Sequence, residues 1–123
     1  ISSQYMSGMD IDAFRHDLEL MKAAHINTIR VHAHIEPERF YDLCDEMGFL
    51  VWQDYNLQWG YIESPAFVKE AVKQAKEMVD FLYNHPSVFL WCMHNEPPWD
   101  SSWMKWKYPD YNPNQNRLLD DQL

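Results

Sequence analysis

Leu90-Trp91-Cys92-Met93-His94-Asn95-Glu96-Pro97-Pro98 is the stretch that decides how this chain is read. A short apolar run passes abruptly into amide, carboxylate and proline. That is how a buried parallel strand ends when it delivers a carboxyl group into a site. Alone the run is only suggestive. Its weight comes from its position, after two earlier strand–helix units that also end in charged or aromatic residues.

Immediately upstream, His85-Pro86 stops a helix that Ser64-Pro65 starts, a cap followed by a first-turn proline. Val68, Ala71, Val72, Ala75, Val79 and Leu82 make its inward stripe, and Lys69, Glu70, Lys73, Lys76, Glu77 and Asp80 a solvated face. Further back, Phe49 to Asp54 reads as a second strand. The helix before it carries Pro37 in its first turn, Phe40, Leu43, Cys44 and Met47 on its apolar stripe, and Gly48 at its end. Before that, a first strand spans Ile26 to Ala33. Asp10 or Asp12 caps the first helix, which runs to Ala24 with Ile11, Phe14, Leu18 and Met21 on one side. After Trp99 the periodicity fades. Residues 1–99 therefore read as one folded unit and 100–123 as a loop or a truncated continuation.

The order α-β-α-β-α-β with short connections implies parallel strands joined by right-handed helical crossovers. A doubly wound sheet and a (β/α)8 barrel both satisfy it. The chain has three glycines and no Gly-rich phosphate loop, so a dinucleotide fingerprint is excluded and the barrel is favoured. The fold class is α/β, a partial (β/α)8 TIM barrel. A whole barrel takes roughly 250 residues, and this chain has 123.

A formal charge of −9 argues against a nucleic-acid partner. No stretch is long or apolar enough to span a membrane, and no signal peptide is visible. The chain begins abruptly at Ile1, so the compartment stays open. Cys44 and Cys92 have neither a disulfide-framework nor a metal-type spacing and read as reduced core residues. Six tryptophans in so short a chain serve either a large core or a platform for a flat ligand such as a sugar.

Alternation along the first strand puts Ile29, Val31 and Ala33 under the helices and Thr28, Arg30 and His32 toward the barrel lumen. An arginine there requires an anion, either a catalytic carboxylate or a structural partner. Asp54 closes the second strand at the end where barrel active sites are built, for ligand binding or for site architecture. Trp59 is a stacking platform or loop packing. Glu96, beside Asn95 and several tryptophans including Trp99, can be desolvated into a general acid. Asn95 can bond a substrate hydroxyl, and His94 precedes the pair.

Ordered motifs with intact spacing carry a resemblance over residues 10–99. They are Asp17-Leu18-Glu19-Leu20-Met21-Lys22, Asn27-Thr28-Ile29-Arg30-Val31, Phe40 through Gly48, Leu50-Val51-Trp52-Gln53-Asp54, His85-Pro86-Ser87-Val88, and Trp91 through Pro97. Together they resemble the catalytic barrel of glycoside hydrolase family 2, the family of β-galactosidases, β-glucuronidases and β-mannosidases. Trp52-Gln53-Asp54 looks closest to the β-mannosidase branch. The resemblance implies barrel strands 2 to 4 and helices 1 to 3, with Glu96 as general acid/base on the fourth strand and Asn95 as its substrate-binding neighbour. It implies that Arg30 holds the nucleophile and that Asp54 lines the sugar site. It also implies cleavage with retention, by a second glutamate about 5–5.5 Å from the first. That glutamate belongs to a seventh strand, which this sequence lacks, as it lacks the first strand and strands five to eight.

The expectation is therefore a fragment of a retaining β-glycosidase, inactive alone. Its partners would be a β-linked sugar and either the rest of the barrel or a second copy covering open strand edges. No cofactor is required, although the family likeness allows a structural Mg²⁺ or Na⁺ near Asp54. Two other readings compete. One is a non-catalytic carbohydrate-binding or assembly module. The other is a metallohydrolase using His32, His34, Asp54, His94 and Glu96.

Overall fold

The structure, a computed structural model, describes residues 10–61, 64–97, 106 and 118–123. Six elements alternate: α1 (Ile11–Ala23), β1 (Thr28–Val31), α2 (Glu38–Met47), β2 (Leu50–Asp54), α3 (Pro65–Leu82) and β3 (Val88–Cys92). Local chemistry sets most boundaries. Asp10 caps α1, its Oδ1 accepting from Asp12 N at 3.0 Å. Ser64 caps α3, accepting from Phe67 N at 3.2 Å, with Pro65 in the first helical position. Gly48 ends α2 at φ 72°, where a Cβ would be strained. Pro37 lies one step earlier than expected, as the N-cap rather than inside the first turn.

The strands are shorter than their apolar runs. His25 at φ 60° closes α1, and the Ile26 N–H is spent on Met21 O at 2.9 Å, so β1 cannot begin before that turn is complete. At the other end Ala33, at φ 55°, turns the chain out of the sheet. The last strand, whose sequence reads as extended from Val88 to about His94, likewise stops at Cys92.

The sheet is parallel throughout, in the order β1-β2-β3. Register pairs Arg30 with Trp52, Trp52 with Leu90, and Asp54 with Cys92. One face of the sheet thus carries Arg30, Trp52, Asp54, Leu90 and Cys92, and the other carries Ile29, Val31, Val51, Gln53 and Trp91. Among the described residues, helices cover only the second face. Phe14 meets Phe40 edge-on at 5.5 Å, and Leu18, Leu43, Val51 and Leu82 are essentially sealed. On α3 the buried stripe is Val68, Ala71, Ala75, Met78 and Leu82; Met78 is an inward residue that the sequence reading omitted, while Val72 and Val79 are only partly covered.

The first face is open. Leu50 is 43% exposed and Leu90 39%, although both point to what is the lumen in a closed barrel. Phe89 of β3 is 51% exposed, because no further helix covers that strand among the described residues. Cys44 is buried and Cys92 half-buried, both free, and burial pushes the Cys44 thiol up to about 12.

Candidate active site at the strand ends

Asp54 is the hub. It ends β2 with no exposed surface, and burial alone would favour its neutral form. Donors reverse that. Arg30 Nε reaches Oδ1 and Oδ2 at 3.0 and 3.1 Å, Arg30 Nη2 reaches Oδ2 at 2.8 Å, His32 Nδ1 lies 3.1 Å away and Ala33 N 3.2 Å. The net effect holds the carboxyl below its ordinary range, and Asp54 in turn raises the arginine. The left-handed turn at Ala33 has a purpose here: it aims a backbone N–H at the carboxylate.

Arg30 also links the third strand. Its Nη2 donates to Asn95 Oδ1 at 2.7 Å, and its guanidinium lies 4.9 Å from the centre of the Trp52 ring. Arginine cannot accept, so the amide of Asn95 is fixed with its oxygen toward Arg30 and its Nδ2 turned away. The anion that the lone lumenal arginine required is therefore Asp54. Two strand ends and the turn after the third are tied by one guanidinium.

Past β3 the chain pairs with the loop after β2. Gln58 and Asn95 form a parallel bridge, in which Asn95 N donates to Leu57 O at 2.9 Å and Trp59 N to Asn95 O at 3.1 Å. Both Trp59 (φ 62°) and Glu96 (φ 49°) adopt the left-handed region. The result brings the Trp59 indole Nε1 within 2.8 Å of Glu96 Oε2. Glu96 is exposed rather than desolvated as the sequence reading expected, because the open face of the sheet leaves its surroundings uncovered.

His94 is engaged on both sides of its ring. Its ring is nearly buried, with Nδ1 2.9 Å from Asp120 Oδ1 and Nε2 2.8 Å from Trp59 O, and Tyr61 at 5.8 Å. His34 turns away to Glu36, at 2.9 Å. The five residues considered as a metal cluster are thus not brought together. Among the described residues the group close enough to share an ion is Asp42, Asp45 and His85, at the opposite end of the strands. There Asp45 already accepts from Ser87 N at 2.8 Å and pairs with His85 Nδ1 at 2.7 Å. Nor does Asp54 fit a structural Mg²⁺ or Na⁺, since N–H donors occupy its oxygens. Trp99 lies outside the described residues.

Sequence reasoning missed Tyr41 and the role of Gln53. Gln53 is sealed on the helix-covered face, where its Nε2 donates to His34 O and Asp54 O, each at 2.7 Å. Its Oε1 accepts from Tyr41 Oη at 2.6 Å, and Tyr41 accepts from Glu36 N at 3.1 Å. An amide on the covered face of a strand is a signal in itself, since a buried polar group demands partners.

Comparison with known proteins follows the same outline. Residues 4–114 match the family described as glycosyl hydrolases family 2, TIM barrel domain. The chain is 33% identical over 125 residues to β-mannosidase B of Aspergillus clavatus, covering 98% of this chain and 15% of that protein. In structure it resembles a GH2 β-galacturonidase from Eisenbergiella tayi bound to galacturonate (TM-score 0.71, 32% identity, 88% of this chain and 20% of that one). It also resembles a β-D-mannosidase from Dictyoglomus thermophilum (TM-score 0.66, 36% identity, 70% and 11%). The chain thus spans a small part of the length of the relatives it matches. Three consecutive parallel strands with their helices, and a family match running through all of them, make this chain a member of glycoside hydrolase family 2 that carries part of its TIM-barrel domain.

Proposed function

We propose that this chain is the general acid/base segment of a retaining β-glycosidase, with Glu96 as the acid/base. The observation that supports the reading most directly is the placement of Glu96. It directly follows Asn95, which Arg30 and Asp54 lock at the C-terminal end of the sheet. Glu96 is thereby held by a rigid hub while its carboxylate stays open to a substrate.

In this reading Asn95 donates through Nδ2 to a sugar hydroxyl. Asp54 and His32 organise the site without touching substrate, and Trp59 borders it. Glu96 first protonates the glycosidic oxygen and later deprotonates water. The attacking carboxylate comes from elsewhere in the complete protein. Asp54 cannot supply it, being buried and paired with Arg30, so the isolated chain turns over nothing. The open lumenal face around Leu50 and Leu90 is then where the rest of the barrel closes. The mannosidase names among the relatives, with Trp52-Gln53-Asp54, favour a β-mannoside as substrate.

The test is the intact mass of the source protein together with a nitrophenyl-glycoside panel on the same sample. A mass several-fold above 14.8 kDa with hydrolysis of one β-glycoside, lost in Glu96→Gln, is the expected result. Sugar binding that survives Glu96→Gln, with no turnover on any β-glycoside, would replace the enzyme by a binding module.

A further inference from the structure

We propose that Trp59 is a positioning residue for Glu96, whose indole N–H assigns the two carboxyl oxygens different tasks. This rests on the reading of Glu96 as acid/base and goes beyond it. The expectation for Trp59 was a stacking platform or loop packing. The structure instead directs its one polar atom at Glu96 Oε2, at 2.8 Å.

The geometry is built, not incidental. Both residues hold left-handed backbone conformations, which are strained for any residue but glycine. Such strain persists only where surrounding bonds over-determine it. They do so here on both sides. Trp59 N donates to Asn95 O at 3.1 Å, and Trp59 O faces His94 Nε2 at 2.8 Å. The far nitrogen of His94 faces Asp120 Oδ1 at 2.9 Å. Both ring nitrogens of His94 are thus engaged. Asp120, His94 and Trp59 therefore form a continuous support, fastened at its near end to Asn95, which Arg30 already fixes.

The chemical consequence follows from the inventory of an indole. Nε1–H donates and cannot accept. While it is directed at Oε2, the proton of the neutral acid resides on Oε1. In the first step that proton passes from Oε1 to the glycosidic oxygen, which takes the electron pair of the breaking C–O bond. The carboxylate left behind gains a charge-assisted hydrogen bond at Oε2. Trp59 thus orients the acid and stabilises its conjugate base at the moment it forms. Among the described residues the other charged and titratable groups at this end are Arg30, His32 and Asp54, bound to one another, Cys92 beside Arg30, the His34–Glu36 pair, and His94 and Asp120; Glu96 has Trp59 as its hydrogen-bond partner.

The experiment uses the complete enzyme and compares Trp59→Phe, Trp59→His and Glu96→Gln on two β-glycosides of its sugar. One carries a dinitrophenyl leaving group, which departs without protonation, and the other an unactivated alkyl group. Glu96→Gln should lose roughly 100- to 10,000-fold in kcat/KM on the alkyl glycoside and little on the activated one. Trp59→Phe keeps a flat ring and removes the donor. It should lose about ten-fold on the alkyl glycoside, the equivalent of one charge-assisted hydrogen bond, and under about two-fold on the activated one. Trp59→His restores a ring N–H and should narrow the gap between the two substrates. Equal losses on both substrates overturn the inference and make Trp59 a packing or stacking residue. If Trp59→Phe does not fold, Trp59→His decides: a gap as wide as that of Glu96→Gln overturns the inference. A Glu96→Gln enzyme that keeps its activity on the alkyl glycoside overturns the acid/base reading itself, and this inference with it.

Discussion

Arg30 and Asp54 form a two-point ion pair across neighbouring strands, with Nε 3.0 Å from Oδ1 and Nη2 2.8 Å from Oδ2, and the same Nη2 reaches Asn95 at 2.7 Å. One planar cation therefore neutralises a sealed carboxylate and fixes the residue before Glu96. The fork is what makes this possible, since a lysine has no second donor plane to share.

Removing the cation should be costly. Arg30→Met leaves Asp54 buried and charged against two remaining donors, His32 and Ala33. Breaking a buried pair typically costs 3–5 kcal/mol, and the partial exposure of Arg30 puts the expectation near the lower figure, about 3 kcal/mol. Arg30→Lys should recover less than half. Denaturant unfolding of the complete protein measures both, and a loss under about 1 kcal/mol for Arg30→Met would show the hub to be held by other bonds.

Acid should loosen the same hub. Asp54 and Asp45 are both held below their usual range, in each case because donors outweigh burial: Arg30 and His32 for the first, Ser87 and His85 for the second. A carboxyl depressed in the folded state contributes stability that is fully present above its unfolded value, about 3.9, and lost as pH falls through the folded one. Thermal midpoints should therefore be flat on the neutral side of pH 5 and fall steeply below about 4. Asp45→Asn should start lower and fall less, since it no longer binds a proton on unfolding. A midpoint that rises on acidification would contradict both assignments.

What could be read before the structure, and what could not, divides along sequence distance. Glu96, Asn95, Arg30 and Asp54 were legible because strand alternation and strand-end polarity are local signals. The three helices were legible through Asp10, Ser64-Pro65 and Gly48 for the same reason. The partner of Arg30 was open between a catalytic and a structural anion, since nothing local joins residue 30 to residue 54. Trp59 with Glu96, and His94 with Asp120, join segments 37 and 26 residues apart through turns with no repeating pattern. The premature end of β1 escaped because His25 and Ala33 take left-handed conformations that neither residue type advertises. Met78 escaped because Val72, Ala75, Val79 and Leu82 already form an i, i+3, i+4 stripe without it, whereas in the fold Met78 is buried and Val72 and Val79 are partly covered.

Tyr41 tests how much the sealed amide of Gln53 contributes. Tyr41→Phe removes the donor to Gln53 Oε1 and the acceptor for Glu36 N while leaving the ring in place. Each buried group left unsatisfied costs about 1–3 kcal/mol, so the variant should lose roughly 2 kcal/mol. The companion Tyr41→Phe/Gln53→Leu should lose less than the sum of its single changes, because the orphaned amide is gone. Strict additivity in that cycle, read by denaturant unfolding, would mean the two side chains do not act together.

The open face makes a prediction about the chain by itself. Leu50 and Leu90 flank Trp52 on the uncovered side of the sheet, and β1 and β3 each present a free edge among the described residues. Apolar side chains beside unpaired N–H and C=O groups recruit further strands. The isolated 123-residue chain should therefore associate, with a mass in light scattering that rises with concentration. Leu50→Lys with Leu90→Lys places two like charges on that face and should shift the population toward monomer, since neither side chain supports the helix-covered core. If the chain is part of a closed barrel, as proposed, the same pair of changes in the complete protein should be destructive, because those positions are then buried and a lysine without a partner cannot be buried cheaply. A chain that stays monomeric and folded at high concentration would mean the face is covered by residues of its own, and the need for an external partner would disappear.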